Sequence, residues 1–264
     1  MAEKNTALAV PDDDSNKSAL PVLASFEKNR QQVQEFLDDG GLVYNDLPQI
    51  KIPPQNGKNW EMPDGSAAPT FEAVIIAQQV TRSYWRPKSE DNAPPDCSSP
   101  DGETGYGEND QPGKVHGCDS CPWAQFGSAV NDKGETGKGQ ACKLVTNLVL
   151  LTETAGRLPA ILQLPPTSAA GARAFRNKIF AKDKMRHQVV ASFGVEPQKG
   201  AFPYNTVTID IARELDVADV ARVENVSAML LPAISRMFAS RVQQDGGAAP
   251  SGANPTNVID EPEA

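Results

Sequence analysis

Apolar and polar positions alternate along this chain in a way that predicts strands through most of its middle and helices at both ends. Over residues 47–53 the apolar side chains Ile50 and Ile52 fall two apart, the period of a strand with one buried face. Residues 54–59 read as a turn, and 60–62 return as the second arm of a hairpin. Residues 71–85 form a long strand candidate carrying Val74, Ile75, Ile76, Val80, Tyr84 and Trp85. A second long strand is predicted over 144–152. After a turn at Gly156, a third follows over 158–164. Pro165 and Pro166 stop it, and Thr167 or Ser168 is placed to cap a helix running to residue 181, with Ala172, Phe175 and Ile179 on one face. Residues 188–195 and 204–212 give a fourth and a fifth strand, the latter alternating at Val207, Ile209 and Ile211. Asp216 caps a long last helix, kinked at Pro232, whose apolar stripe is Val217, Val220, Val223, Val226, Leu230, Ile234 and Phe238. Near the start, residues 24–38 predict a short helix through Phe26, Val33, Phe36 and Leu37, ended by Gly40 and Gly41.

The long elements therefore run strand, insertion, strand, strand, helix, strand, strand, helix. Five strands with a helix between the third and fourth follow the order of an OB-fold. The expected class is mainly β: an OB-like β-barrel with a loop insertion and flanking helices. In that fold the loop between the first two strands flanks the nucleic-acid groove.

The insertion, residues 95–143, holds all four cysteines: Cys97, Cys118, Cys121 and Cys142. Their spacing is symmetric about the C-D-S-C knuckle, and glycine is frequent between them. Such a segment cannot build an apolar core of its own, so a metal is the simplest agent that orders it. A Cys-x2-Cys turn offers two thiolates at the bite of one tetrahedral ion, and the outer cysteines complete the set. Soft sulfur ligands favour zinc or an iron–sulfur cluster over hard cations. Two disulfides, a thioredoxin-like redox pair and plain thiols are the rival readings, and His116 could replace an outer cysteine. A closed four-cysteine zinc site is structural and shapes a loop; it has no open position for a substrate.

Charge is distributed unevenly. Residues 1–48 carry four basic and nine acidic side chains, a sum of −5, and residues 245–264 carry four acidic ones, a sum of −4. Subtracting both from the net −9 leaves residues 49–244 neutral. The expected organisation is an acidic N-terminal tail and short helix (1–46), one domain (47–244) and a disordered acidic C-terminal tail (245–264). No apolar run is long enough to span a bilayer and no export signal is visible, which predicts a cytoplasmic protein.

Single-strand binding requires rings for bases and cations for phosphates. Arg82, Tyr84, Trp85, Arg86 and Lys88 bring both together at the mouth of the cysteine loop. Alternation sets Tyr84 and Trp85 on opposite faces, so one of the two faces out, and Tyr84 is the ring expected to stack on bases. Trp123 and Phe126 follow the knuckle, either as stacking rings or as an apolar lid over the metal, with Lys138 and Lys143 close by. A second basic group, Arg173, Arg176, Lys178, Lys182, Lys184 and Arg186, has only Asp183 opposing it in sequence. It is either a phosphate track or a solvated helix face. An enzyme reading is thin. The two histidines are far apart, and no P-loop, dinucleotide fingerprint or nucleophile elbow occurs. Asp91, Asp96, Asp101 and Glu103 are the only candidates for a magnesium-dependent nuclease.

The segments P-D-C-S-S at 95–99, C-D-S-C-P-W-A-Q-F-G-S at 118–128, G-Q-A-C-K at 139–143 and L-P-P-T-S at 164–168 resemble a family of phage and mobile-element proteins from replication regions. I-K-I-P at 50–53, Trp60 and R-S-Y-W at 82–85 belong to the same pattern, and the resemblance spans residues 47–212. An OB-like core with a zinc loop and an acidic tail is also similar to phage single-stranded DNA-binding proteins. The similarity implies sequence-tolerant binding of single-stranded DNA in replication or recombination, with the C-terminal tail offered to other proteins of those processes. The chain ends in Glu263-Ala264 and lacks the terminal aromatic of several such proteins. A zinc-stabilised protein-interaction module, an adaptor or host-factor inhibitor, is the alternative from another class.

Overall fold

Strand β4 (Phe71–Tyr84) is fourteen residues long and almost every other element is arranged on it. The computed structural model describes residues 21–38, 42–54, 57–87, 95–107, 115–130, 134–199 and 203–244. The expected tails, Lys88, Asp91 and the Gly40-Gly41 stop lie outside these residues. In chain order the elements are α1 (Pro21–Lys28), α2 (Arg30–Asp38), β1 (Gln49–Ile50), β2 (Trp60–Glu61), β3 (Ala67–Ala68), β4, β5 (Cys97–Ser99), β6 (Thr104–Gly107), β7 (Val115–Gly117), β8 (Lys143–Leu151), β9 (Ala160–Leu164), α3 (Ala169–Phe180), β10 (Val189–Gln198), β11 (Tyr204–Glu214) and α4 (Val217–Gln244).

All five long strands of the sequence reading are present. The sheet runs β1-β9-β8-β4-β5-β6-β7, with β10 also pairing β4, and β11 pairing β10. β4 thus has β8 along one edge, while on its other edge β10 pairs its start (Phe71↔Phe193) and β5 its end (Tyr84↔Cys97). β9 and β11 are not hydrogen-bonded to each other, so the sheet does not close into a barrel among the described residues. The start of α3 covers β11 instead: the Val207 N–H donates to Ser168 Oγ at 3.0 Å. Ser168 was expected to cap α3, but its hydroxyl serves this strand edge. Gly171 permits the close approach, since a Cβ there would stand 2.5 Å from the Val207 carbonyl oxygen.

The sheet is covered on both faces, which explains why β4 and β8 are apolar runs where a one-sided sheet would alternate. Val74, Ile76, Val149 and Leu151 pack with Phe26, Val33, Leu37 and the α4 residues Val223, Leu230 and Phe238. On the other face Ile75, Leu148, Leu150 and Phe193 pack with Trp60, Phe71, Phe175 and Ile179. Asp216 does cap α4, accepting the Asp219 N–H at 2.7 Å. Val217, which the stripe includes, is instead exposed, while Asp219 of the same first turn is buried. The first helix is divided at Asn29, whose side chain donates to the Ser25 carbonyl at 2.8 Å. The expected hairpin at 47–62 survives as a single antiparallel bridge, Lys51↔Glu61. β1 pairs β9 in parallel.

Candidate functional site

Four chain segments bring the cysteines together. Cys97 opens β5 and pairs with Tyr84 at the end of β4. Cys118 follows β7 and donates its N–H to the Glu103 carbonyl at 2.6 Å, and Cys121 closes the knuckle by donating to the Cys118 carbonyl. Cys142, just before β8, donates its N–H to the Trp123 carbonyl at 2.8 Å. All four are buried free thiols that line one small pocket with Arg82, Tyr84, His116 and Trp123. The free space among them is about 10 Å³. Cys121 enters a 3-10 turn, Pro122–Ala124, and not the helix that a thioredoxin-like pair needs.

Burial, then the neighbouring sulfurs, pushes the Cys97 thiol up to about 12. Burial likewise pushes Cys142 up to about 11 against the opposing pull of the Arg82 guanidinium. Cys118 is raised by burial, against the Ser99 hydroxyl and Arg82. Burial thus favours the neutral thiol at Cys97, Cys118 and Cys142. Among the described residues no group of three or more His, Cys, Asp or Glu is arranged to hold a metal ion. Uncharged sulfurs have no attraction that draws them to ligand distance, whereas a bound cation holds them as thiolates and pulls them inward. The donor set nonetheless suits a soft cation. Arg82 Nη1 is also buried without a hydrogen-bond partner, beside sulfurs that accept only weakly while protonated. His116 Nε2 stands 3.8 Å from Cys97 Sγ, packed against Gly105.

The pleat separates the flanking residues into two sets. Arg82 and Tyr84 face the cysteines. Tyr84 is buried, 6% exposed, and stacks on Trp123 with ring centroids 5.3 Å apart and planes 7° from parallel. Tyr84 is therefore not the outward ring; the bulk of the thiol pocket lies on its side of the strand. Trp85, 43% exposed, is the outward one. Lys143 is paired with Ser83 in the register of β4 and β8, so it shares the Trp85 face. Trp123 is half-buried and packs against the cysteine cluster, whereas Phe126 is 81% exposed. Arg82 is turned away from any strand track, its Nε donating to the Gly102 carbonyl at 3.1 Å. Arg86 pairs with Asp96 at 3.5 Å.

The basic helix is opposed by more than Asp183. Lys178 pairs with Asp210 at 2.8 Å, and Lys182 and Lys184 pair with Glu214 at 3.2 and 3.4 Å. These acids lie on β11, remote in sequence but beside α3 in space. Arg173 and Arg176 are exposed and make no ion pair among the described residues. Two of the acids considered for magnesium have structural partners. Asp101 Oδ1 accepts from Ser99 Oγ and from the Glu103 and Thr104 N–H groups, and Asp96 accepts the Arg86 N–H. Sequence reading missed this Asp101 turn and the Ser99 and Arg82 contacts to the thiols; the turn-forming run S-S-P-D-G at 98–102 was its available signal.

Comparison with family models, with curated proteins and with solved structures finds no match. Among the described residues no helix is long and apolar enough to cross a membrane.

Proposed function

We propose that this chain is a sequence-tolerant single-stranded DNA-binding protein of replication or recombination, built on a partly open OB-like core whose cysteine loop is held by one structural zinc. The observation that carries the reading is the face shared by Trp85 and Lys143 at the end of the β4–β8 pair, an exposed ring one residue past β4 and a cation at the start of β8. Phe126 adds a second exposed ring on the same loop. The OB-like part is supported by β4 pairing both β8 and β10 and by α3 packing on β11. Cys97, Cys118, Cys121 and Cys142 would hold the zinc, which keeps the loop in one shape; the stacking and charge come from the chain. A cytoplasmic location and docking of partner proteins by the acidic C-terminal segment belong to the same reading.

Titration of a fluorescent oligo-dT at two salt concentrations tests it. Binding that weakens steeply with salt is expected, because neutralised phosphates release counterions. Trp85→Ala should weaken it by about 1–3 kcal/mol for one lost stacked base. Absence of binding at low salt overturns the reading and leaves the loop as a protein-docking module.

A further inference from the structure

The edge of β4 opposite β8 is paired by β10 as far as Ala73 and by β5 from Arg82, with no strand partner between them among the described residues. A cleft of about 330 Å³ opens at this gap. The β5–β6 turn of the cysteine loop forms one wall, α3 and the segment after it the other, and Ile75, Leu148 and Phe175 the apolar floor. Gln79 ties the turn to the strand by donating its Nε2 to the Pro100 carbonyl, so the wall is fixed by the same loop that carries the cysteines.

Seven polar residues line this cleft and differ in kind; of these Gln79 is held by Pro100, Asp101 by Ser99 and the turn N–H groups, and Lys184 by Glu214. Gln78 offers an amide, a donor and an acceptor together, with no partner among the described residues. Glu103 brings an exposed carboxylate from the loop wall. Arg176, unpaired among the described residues, faces it from α3, and Phe180, 49% exposed, stands at the rim. A volume at the small end of ligand pockets suits one small molecule and not a chain of them. An apolar floor with a rim ring takes a flat heterocycle. An amide and a carboxylate lining one cleft select a heterocycle with an amino group next to an acceptor, and the Arg176 guanidinium, with Lys184 and Arg186 in the same lining, selects an anion.

We propose that this cleft binds one nucleotide bearing an amino-substituted base, adenine foremost, with its amino edge on Gln78 and Glu103 and its phosphate on Arg176. The nucleotide is either a unit of a bound single strand, which rests on the reading above, or free in solution. Thymine has no amino group. In its place the Glu103 carboxylate would face a carbonyl oxygen, and the Gln78 amide would lose half of its pairing.

Isothermal titration of the full-length chain with dAMP, dTMP and inorganic phosphate tests the site, and oligo-dA against oligo-dT of equal length tests the source. The expected result is dAMP bound roughly 10-fold or more tightly than dTMP. Gln78→Met should reduce that difference, and Arg176→Gln should weaken both nucleotides. Equal affinity for dAMP and dTMP, or for dAMP and phosphate, overturns the proposal, as does a preference that Gln78→Met leaves unchanged. Preference for oligo-dA that Gln78→Met reduces assigns the site to the strand. Oligonucleotide binding with no base preference and no response to either substitution refutes this inference and leaves single-strand binding standing. Binding of dAMP without binding of any oligonucleotide does the reverse and makes the cleft a free-nucleotide site.

Discussion

Tyr84 and Trp123 stack nearly parallel at 5.3 Å, joining the last residue of β4 to the turn that follows the cysteine knuckle. The pair is the main apolar link between the sheet and the loop, with Ala124 and the thiols around it. Trp123→Ala should destabilise the protein by about 3–5 kcal/mol if the loop unfolds with the domain. Tyr84→Phe keeps the ring and should cost less than about 1.5 kcal/mol. Urea denaturation followed by circular dichroism measures both; equal losses from the two substitutions would deny the stack its role.

Zinc should be found at one ion per chain in protein purified without chelator. Uptake by the stripped protein should release protons, since burial favours the neutral thiol at Cys97, Cys118 and Cys142, and should tighten as pH rises. Cys118→Ser and Cys121→Ser should each lose the metal and leave the loop open to protease, while β8 to β11 keep their circular dichroism signal. Metal analysis together with limited proteolysis reads both outcomes, and full metal content in both variants would rule out the four-cysteine site.

Gly105 lies against the His116 ring, and a Cβ there would stand 2.5 Å from Nε2. Gly105→Ala should therefore cost about 1–3 kcal/mol by overpacking. Adding His116→Ala opens the space and should restore most of the loss. Thermal unfolding of the single and double variants decides this, and a double variant no more stable than the single one places the cost elsewhere.

Lys178 lowers the Asp210 carboxyl below its ordinary value through a hydrogen bond, and Lys182 and Lys184 do the same for Glu214. A carboxyl depressed in the folded state adds stability above its ordinary value of 3.8 or 4.5, and that stability is lost as pH falls through the lower folded value. The effect should appear only below pH 4.5. These groups are exposed, so Lys178→Ala should change stability at neutral pH by less than about 1 kcal/mol. Denaturation at neutral pH and at acid pH, with and without Lys178→Ala, checks sign and size.

The long elements were readable because their signals are local. β8 ends in the apolar run at residues 148–151 before Thr152, and α4 repeats its apolar positions behind an Asp216 cap. The short strands β5, β6 and β7 were not readable. They hold only three or four residues each, rich in glycine and serine, and exist because the end of β4 offers an edge to pair with. The acids opposing the basic helix were missed for a related reason: Asp210 and Glu214 are thirty residues downstream and meet Lys178 and Lys182 only because β11 lies beside α3.

The sequence by itself determined five strands, the helix between the third and fourth, the closing helix, and a cysteine set that needs something to order it, because periodicity, caps and ligand spacing are written in neighbouring residues. Tertiary structure alone decided that, among the described residues, the sheet stays open between β9 and β11 and a cleft forms where β4 lacks a strand partner, and that Tyr84 turns inward and Trp85 outward. Those outcomes depend on which edges pair and which faces are covered, and strand pairing over more than a hundred residues leaves no mark on the local pattern.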